Sequence, residues 1–414
     1  MGYRNSRAHG LQMGMPWKES SVMSEWIKMI LEDVDGLRGS KADLARRYGV
    51  SRKTLHKWLQ RFKEGSWDGL KDLSRAPHSH PNAIEPQIVA TILEFKRRYP
   101  FWGAPKLRQK LFDRYGEDTP AESTISTVLK RQGLTRPLEH SRRATPSTQP
   151  LSHAVNPNDL WTVDFKGDFA LGDGTRCVPL TICDACSRYF LEIKGYPRLA
   201  KGHQVQQAFI PIFREHGLPQ AIRNDNGAPF ASHGLGGLTQ LSVWWVRLGI
   251  RLERIEPAHP EQNGRHERAH RTLKEQTASP SAQNLAAQQE AFVHFAREFN
   301  WERPHEALGQ KTPASIYQPS PRPYLERLPG PREYPSDWLR RRVSPCGRTK
   351  WNGVLVPVTL ALRGEDIGFQ PVGDGLWAVY FEHLHLGIFD ERKNRIKPVQ
   401  RLHDRGPSVE DYAI

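Results

Sequence analysis

Apolar and polar positions change their spacing along the chain, and each change predicts a different kind of structure. Up to about residue 135, apolar residues recur three and four positions apart, which is the spacing of amphipathic helices. Between residues 160 and 255, short alternating runs typical of strands are separated by helical segments. Beyond residue 338, short apolar runs lie between glycine turns. The pattern predicts helical units first, then a central α/β region and a β-rich C-terminal region.

The first helical unit has the spacing of a helix-turn-helix. Helices are predicted at Val22–Leu37, Ser40–Gly49 and Ser51–Phe62. The small Ala45, the turn residue Gly49 and the apolar Leu55 allow two helices to pack across a tight turn. Candidates for contact with DNA are the basic residues Arg46, Arg47, Arg52, Lys53, His56 and Lys57. An ordinary helical hairpin with a solvated basic face is the competing interpretation.

A second helical unit is predicted from Glu85 to about Gly133. Its helices are expected at Ile88–Arg98, Trp102–Leu111 and Ser123–Gly133. A simple helical spacer is one interpretation of this unit, and a second DNA-binding unit is the other. The following residues, 138–156, are rich in Ser, Thr, Pro, His and Arg and predict a linker.

The central region alternates strands and helices. Predicted strands are Leu160–Phe169, Arg176–Asp184, Tyr189–Gly195, Gln220–Asp225 and Ile250–Ile255. Predicted helices are His203–His216, Gln240–Leu248, Asn263–Glu275 and Asn284–Phe299. Three early strands followed by alternating helices and strands predict a mixed sheet flanked by helices.

The C-terminal region reads as a small β-barrel, because short apolar runs such as Leu376–Phe381 alternate with glycine turns. Arg341 and Arg342 in its first basic run are candidates for contact with DNA phosphates. A solvated basic edge is the competing interpretation. The expected boundaries are 1–76 and 77–137 for the helical units, 138–156 for the linker, 157–320 for the core, 321–337 for a Pro-rich linker, 338–400 for the barrel and 401–414 for a tail.

The composition favours a nucleic-acid partner. The 414 residues include 60 Lys and Arg against 45 Asp and Glu, a formal net charge of +15, and phosphate polymers are the commonest partners of such basic proteins. Four cysteines are too few and too scattered for a disulfide framework, and Cys183 and Cys186 are interpreted as structural. No apolar run reaches the length of a membrane span and the start lacks a secretory segment, so we expect a cytoplasmic protein without membrane contact.

Three acidic residues are the candidates for catalysis. Asp164 lies in an alternating strand pattern, Asp225 lies where a short strand meets a turn, and Glu267 lies on a polar helix. If the fold brings them together, three carboxylates repel one another unless cations lie between them. Magnesium suits such a cluster, and two ions can clamp the attacking and leaving oxygens of a phosphodiester. Asp168 and Asp184 are the rival carboxylates.

The chain resembles bacterial insertion-sequence transposases with a DDE-type integrase catalytic core, which are relatives of retroviral integrases. The motifs that carry the resemblance are Trp161–Asp164, Asp184–Arg188, Asn224–Gly227, Gly264–Glu267, Arg271–Lys274, Phe299–Leu308 and Thr312–Tyr317. The resemblance implies a ribonuclease H-like core, DNA binding by the second helical unit, and a C-terminal DNA-binding barrel.

The spacing of the last two acids departs from the family pattern. Asp225 and Glu267 are 42 positions apart, which is more than the family usually has, and the usual spacing would select Glu261. We choose Glu267 because Gly264-x-x-Glu267 and the basic residues after it match the family's helix. The extra length is interpreted as a surface insertion around Ser232–Leu238.

The resemblance also implies a mechanism. Asp164 is expected to bind both Mg²⁺ ions, Asp225 one of them and Glu267 the other, with Mn²⁺ able to substitute. The implied reaction nicks the end of the element and then joins the freed 3′ end to target DNA. Arg271 and Lys274 share a helix face with Glu267 and are expected to hold DNA phosphates, although a solvated charged face is the alternative.

The expected partner is double-stranded DNA, both the ends of the element and the target. A homo-oligomer is expected in the DNA complex, and the protein is expected to be nucleoid-associated when bound. Zinc is not expected, on the interpretation that neither His259 nor His266 has a ligand four residues away on its helix. The competing functions are a domesticated DNA-binding protein without cleavage activity and a structure-specific nuclease with the same core.

Overall fold

The structure is a computed structural model that describes residues 22–36, 39–71, 84–135, 152–165, 167–255 and 264–399. The chain divides into two compact units, Met1–Ala83 and Ile84–Ile414. Most of the predicted linker, the tail 401–414, His259 and the rival Glu261 lie outside the described residues.

The first unit contains the three predicted helices, α1 (Val22–Val34), α2 (Lys41–Arg47) and α3 (Arg52–Gly65). Ser40 begins α2 by accepting a hydrogen bond from the Asp43 backbone N–H, and Ser51 begins α3 in the same way through Thr54. The core includes Leu44, Ala45 and Leu55. The small and apolar positions that predicted the tight turn are therefore the buried ones.

The second helical unit consists of α4 (Pro86–Arg98), α5 (Ala104–Tyr115) and α6 (Glu122–Arg131), packed around Ile92, Trp102, Leu107 and Ile125. The indole N–H of Trp102 donates to Glu298 Oε1 at 3.0 Å. Arg98 Nη2 lies 3.2 Å from Glu302 Oε2. The corner between α4 and α5 is therefore held against the central domain by hydrogen bonds and an ion pair.

The central sheet contains β1 (Leu160–Phe165), β2 (Phe169–Ala170), β3 (Arg176–Asp184), β4 (Phe190–Tyr196), β5 (Ala221–Asn224) and β6 (Arg251–Arg254). β3 pairs antiparallel with β1, β2 and β4. β5 lies parallel to both β1 and β6. The mixed sheet predicted from the order of elements is confirmed.

Helices cover both faces of this sheet. They are α7 (Gly202–His216), α8 (Gln240–Arg247), α9 (Gly264–Thr277) and α10 (Leu285–Arg297), and a π-helical turn at Glu298–Glu302 follows α10. The apolar cluster under α7 and α8 includes Phe209, Phe213 and Trp245, whereas the cluster under α9 and α10 includes Leu273 and Phe292. In the described ranges, no helix combines the length and the apolar character needed to cross a membrane.

The C-terminal region is all β. Its strands are β7 (Leu339–Arg342), β8 (Arg348–Trp351), β9 (Val354–Pro357), β10 (Asp366–Gly373), β11 (Leu376–Phe381), β12 (Leu384–Asp390) and β13 (Arg395–Pro398). Five of them form an antiparallel sheet in the order β13-β12-β11-β10-β7, and β8 and β9 form a separate hairpin. Neither sheet closes on itself within the part of the chain that the structure describes, so the predicted small β-barrel is not confirmed. Alternation along a strand shows which side is buried, but closure depends on pairing between distant edge strands.

The segment interpreted as a surface insertion also contacts the C-terminal sheet. Its first residues are exposed, but Leu238 is 1% exposed and packs with Val243 and Val246 of α8 against the C-terminal apolar cluster. Beside them, Arg247 Nη1 lies 2.7 Å from Glu365 Oε2. The predicted surface insertion around Ser232–Leu238 is therefore exposed at its first residues and buried at its last, Leu238, which helps to hold the C-terminal region on the core.

Candidate active site

Strand alternation divides β1 and β3 into an apolar side and a polar side. The apolar side, under α7 and α8, contains Trp161, Val163, Leu180 and Ile182. Successive side chains of a strand point to opposite faces, so Thr162, Asp164 and Thr181 face the helix α9 instead. Asp164 is paired with Thr181 across the ladder. The first candidate catalytic carboxylate thus lies beside a hydroxyl on the face that α9 covers.

A continuous series of close polar contacts, which we call the polar chain, links Thr162, His266, Thr181, His270 and Asp164. Thr162 Oγ1 lies 2.7 Å from His266 Nδ1, and His266 Nε2 lies 2.7 Å from Thr181 Oγ1. Thr181 Oγ1 lies 2.5 Å from His270 Nε2, and His270 Nδ1 lies 3.6 Å from Asp164 Oδ2. The two threonines and the two histidines are buried, and Asp164 is partly exposed. The polar chain therefore runs from the buried Thr162 to the Asp164 carboxylate, which is partly exposed to solvent.

The polar chain corrects one sequence interpretation. His266 does have a helical partner, since His270 follows four residues later and both rings lie on the buried face of α9. The signal was present in the sequence as His266-Glu267-Arg268-Ala269-His270 and was missed. One ligand atom from each of Asp164, His266 and His270 lies within 4.8 Å of the others.

Asp225 directly follows β5 and is held by a local turn. The Gly227 backbone N–H donates to Asp225 Oδ1 at 3.1 Å, and the Asn226 side chain donates to the Ile255 carbonyl at 2.5 Å. The last pair of the parallel β1–β5 ladder is Thr162 with Arg223. Two residues further along each strand lie Asp164 and Asp225, at the same edge of the sheet.

Glu267 lies on an exposed arc of α9. The buried positions of this helix are His266, His270, Leu273 and Thr277. Glu267, Arg271 and Lys274 are exposed, and their spacing of four and three residues places them on one strip. Glu267 is one turn before His270, so this strip borders the residue that contacts Asp164.

The three predicted metal ligands do not form a compact group in the structure. Among the described residues, the group whose ligand atoms lie within 4.8 Å of one another, close enough to share a metal ion, consists of Asp164, His266 and His270, and it contains neither Asp225 nor Glu267. The structure places Asp164 and Asp225 at one sheet edge and Glu267 on the adjoining helix. Their convergence on a metal stays a prediction.

The rival carboxylates both have structural partners. Asp184 is fully buried and accepts hydrogen bonds from the backbone N–H groups of Asn158 and Ser187 at 2.8 and 2.7 Å. Burial raises the pKa of the Asp184 carboxyl, and the hydrogen bonds from Ser187 oppose that rise. Asp168 is exposed and forms an ion pair with Arg176. Asp184 pairs with Trp161 at the other end of the β1–β3 ladder, and Asp168 is held by its ion pair with Arg176.

Cys183 and Cys186, the two cysteines three positions apart, both have structural contacts. Cys183 is buried in the cluster under α9 and α10, and burial raises the pKa of its thiol well above the usual range. A raised thiol pKa disfavours the reactive thiolate. Cys186 donates through Sγ to the Val155 carbonyl at 3.1 Å. These contacts fit the structural role expected from the sequence.

The basic candidates of the first unit fall into two groups. Arg52, Lys53, His56 and Lys57 are exposed along one side of α3. Arg46 and Arg47 of α2 are also exposed but are engaged in ion pairs, at 3.2 Å with Asp43 and 3.1 Å with Glu32. The α3 side is the broader basic surface, and its contacts with DNA stay a prediction.

The two C-terminal candidates point to opposite sides of β7. The Arg341 guanidinium lies 5.6 Å from the ring centre of Trp351, and Arg342 Nη1 lies 3.4 Å from Asp366 Oδ1. Consecutive strand residues face opposite sides, so this arrangement follows from their positions. A single flat phosphate backbone would not contact both side chains through one face of the sheet.

Comparison with known proteins shows what parts of the chain are similar to. A family model described as an integrase core domain matches residues 248–313, a helix-turn-helix domain matches 27–78, and a homeodomain-like domain matches 54–129. A protein of insertion element IS476 from Xanthomonas euvesicatoria is 28% identical over 60% of this chain and 70% of its own length. A protein of insertion element IS407 from Burkholderia multivorans is 27% identical over 67% of this chain and 90% of its own length. The chain is related to insertion-sequence transposases with an integrase core.

This relationship confirms the resemblance drawn from the motifs and the helix-turn-helix of the first unit. The integrase-core match includes Glu267, Arg271 and Lys274 but begins after Asp164 and Asp225. Among solved structures, the HTLV-2 integrase catalytic core domain in complex with magnesium aligns over 40% of this chain and 100% of its own, at 16% identity and a TM-score of 0.32. Similarity that low carries no argument about the site, so the roles of the first two acids depend on the geometry around them.

Proposed function

We propose that the chain is a DNA transposase that binds the ends of a mobile element and uses Mg²⁺ to nick and join DNA. Its catalytic site would be formed by Asp164, Asp225 and Glu267. The observation that carries the proposal is the parallel β1–β5 pair, whose register leads to Asp164 and Asp225 at one edge of the sheet. Neighbouring strands are about 4.8 Å apart, so two carboxylates at adjacent strand ends can share a cation.

Glu267 completes the proposed set from the adjoining helix. It lies one turn before His270, whose Nδ1 is 3.6 Å from Asp164 Oδ2. Helix positions three residues apart have Cβ atoms about 5–6 Å apart. A change of side-chain rotamer at Glu267 could therefore bring its carboxylate toward Asp164, without a movement of the helix.

The donor set suits magnesium better than zinc. The proposed ligands are carboxylate oxygens, which Mg²⁺ prefers, and both ring nitrogens of His266 already face threonine hydroxyls. Bound Mg²⁺ would supply the positive charge that stabilises the attacking and leaving oxygens of a phosphodiester. The protein's own part is to hold three carboxylates at fixed positions, because phosphoryl transfer asks mainly for positioning and charge stabilisation.

The DNA is expected to lie along the exposed basic strip of α9. Arg271 and Lys274 are exposed on the same strip as Glu267 and can hold phosphates beside the carboxylates. The exposed cations of α3, with the helix-turn-helix match, suit recognition of the ends of the element. Two ends must be held together for joining, so a homo-oligomer is proposed for the DNA complex.

The test uses the DNA that flanks the reading frame, in which the proposal predicts short inverted repeats. The full chain is incubated with an oligonucleotide that carries one terminal repeat, with Mg²⁺, and nicked and joined products are separated on a sequencing gel. Asp225→Asn should abolish both products and leave DNA affinity largely unchanged, because a metal ligand is lost and the basic surfaces remain. Asp168→Asn is the matched control, since it removes an exposed carboxylate that is outside the proposed ligand set and is paired with Arg176, and it should retain activity.

The outcomes separate the competing functions. Sequence-specific binding without any Mg²⁺-dependent product would favour a DNA-binding relative without cleavage activity. Cleavage of branched DNA without preference for the repeat would favour a structure-specific nuclease. Joining by the Asp225→Asn protein in Mg²⁺ would refute the assignment of the site.

A further inference from the structure

The polar chain ends at the carboxylate that the proposed function makes the central metal ligand. Thr181 is fully buried, His270 is 1% exposed and His266 is 3% exposed. Burial of this many polar groups is costly unless each one is paired. The structure pairs them in series, so that each ring is fixed by hydroxyls on the strands beneath it.

The hydrogen-bonding capacity of these groups admits two opposite directions, because the Thr162 hydroxyl can also donate to the Cys183 carbonyl 3.4 Å away. The negative charge of the Asp164 carboxylate favours the direction that presents an N–H to it. A threonine hydroxyl donates one proton, and one nitrogen of a neutral imidazole donates while the other accepts. If the Thr162 hydroxyl donates to His266 Nδ1, then His266 Nε2–H donates to Thr181 Oγ1 and the Thr181 hydroxyl donates to His270 Nε2. Each proton is then used once, and the remaining N–H, on His270 Nδ1, points toward Asp164 Oδ2.

We propose that His270 is a positioning residue for Asp164, with its ring tautomer and orientation set by Thr181 and His266. The inference rests on the proposed function, since it gives Asp164 its role as a metal ligand. Ligating carboxylates are themselves commonly held by outer hydrogen bonds, and loss of such a partner typically lowers metal affinity by about 10- to 100-fold. The separation of 3.6 Å from Nδ1 to Oδ2 is roughly 0.6 Å longer than a usual N–H···O hydrogen bond, so a small rotation of the carboxylate would close it.

The same three side chains could instead form a nitrogen-rich metal site. Two histidines four residues apart on one helix, with a carboxylate nearby, are a familiar zinc arrangement. Metal binding at His266 would require it to exchange a threonine hydroxyl for the ion, since both ring nitrogens lie 2.7 Å from hydroxyl oxygens. The geometry therefore favours a positioning chain, and zinc binding becomes an outcome that the experiment must detect.

The experiment measures binding of Mn²⁺ alone to the full chain by calorimetry, with no DNA present. His270→Asn keeps an N–H donor near the position of Nδ1, whereas His270→Gln keeps one near Nε2 and His270→Leu keeps neither. We expect the dissociation constant for Mn²⁺ to rise about tenfold or more in His270→Leu and His270→Gln, and to stay within about threefold of the wild type in His270→Asn. Circular dichroism and thermal unfolding identify any variant that has not folded.

A second readout follows the tautomers directly. Nitrogen-15 spectra of histidine-labelled protein should show the proton of His270 on Nδ1 and that of His266 on Nε2. The reverse tautomer at His270, or unchanged Mn²⁺ affinity in folded His270→Leu, would overturn the positioning role. Stoichiometric Zn²⁺ binding that is lost in His266→Asn would overturn it as well, in favour of a metal site.

Asp164→Asn separates this inference from the proposed function. If Asp164→Asn loses Mn²⁺ affinity and His270→Leu does not, only the positioning role fails. If Asp164→Asn binds Mn²⁺ as the wild type does, the metal site of the proposed function fails, and the positioning role fails with it.

Discussion

The face of the β1–β3 pair under α7 and α8 differs from the face of the same two strands under α9. The first face buries Trp161, Val163, Leu180 and Ile182 among aromatic side chains. The second buries Thr162 and Thr181 against two histidines. Alternate residues of the same two strands thus form an apolar core on one face and a network of polar contacts on the other. The apolar face stabilises the fold through burial, which needs no particular orientation of the side chains. On the polar face, burial of polar groups costs free energy, and their hydrogen bonds fix the orientation of the side chains beside the Asp164 carboxylate.

The largest effect on stability is expected from the apolar face. Phe209 is fully buried, with its ring centre 5.1 Å from that of Phe213 and 5.2 Å from that of Trp245. Phe209→Ala should lower the free energy of unfolding by about 3–5 kcal/mol, because transfer free energy is lost and a cavity is left. Urea unfolding, monitored by tryptophan fluorescence, measures this change in the free energy of unfolding. Val293→Ala, at a side chain that is 60% exposed, is the control and should change little. A loss below about 1 kcal/mol in Phe209→Ala would contradict the division between the faces.

A smaller effect is expected on the polar face. Thr162→Val keeps the shape of the side chain but removes the hydroxyl that contacts His266 Nδ1 at 2.7 Å. A buried nitrogen left without its partner costs about 1–3 kcal/mol. Thr162→Ser keeps the hydroxyl and should cost less than Thr162→Val in the same urea experiment. If the serine variant is the less stable of the two, packing of the methyl group outweighs the hydrogen bond, and the two faces are more alike than described.

The pH dependence of stability tests a further polar group, His305, whose ring centre lies 4.6 Å from that of Phe299 in the turn after α10. Burial, with the positive charges of Arg303, Lys106 and Arg188, lowers the pKa of His305 to about 3. The unfolded chain titrates near the ordinary histidine pKa of about 6.5, so between these values the unfolded state binds more protons. The contribution of His305 to the free energy of unfolding is therefore complete above about pH 6.5. It decreases as the pH falls toward 3, by up to about 1.4 kcal/mol per pH unit.

His305→Gln removes this titration and should flatten the dependence. Chemical unfolding at intervals between pH 7 and pH 4.5 gives the two curves, whose difference should grow as the pH falls. Parallel curves for the two proteins would show that His305 already binds its proton in the folded state.

Much of the architecture was predictable because its signals are local. The alternation over Arg176–Asp184 predicted β3 at both ends, and Ser40 and Ser51 marked the beginnings of α2 and α3. Burial of Ala45 and Leu55 follows from their spacing across a tight turn. In each of these cases the residues that decide the structure lie within a few positions of one another.

The polar chain was not predictable in the same way. It depends on the register that pairs Asp164 with Thr181, and register between strands is set by distant contacts. His266 and His270 could have been paired from their spacing alone, but their threonine partners are about 85 to 104 residues away. The open C-terminal sheet and the burial of Leu238 against it depend on long-range packing in the same sense.

The smallest effect on stability is expected on the exposed strip of α9, where function should change most clearly. Arg271→Ala with Lys274→Ala removes two exposed cations, and exposed substitutions usually change stability by less than about 0.5 kcal/mol. If both hold phosphates, DNA affinity falls and the slope of log affinity against log salt decreases by about 1 for each lost contact. Fluorescence anisotropy over a series of salt concentrations measures the slope.

Arg268→Ala is the matched control, because Arg268 is an exposed cation of the same helix outside the strip, next to the Gly264 carbonyl. An equal change of slope in Arg268→Ala and in the double variant would mean that α9 attracts DNA through its total charge. A change confined to the double variant would place the phosphates beside Glu267, on the polar side of the sheet.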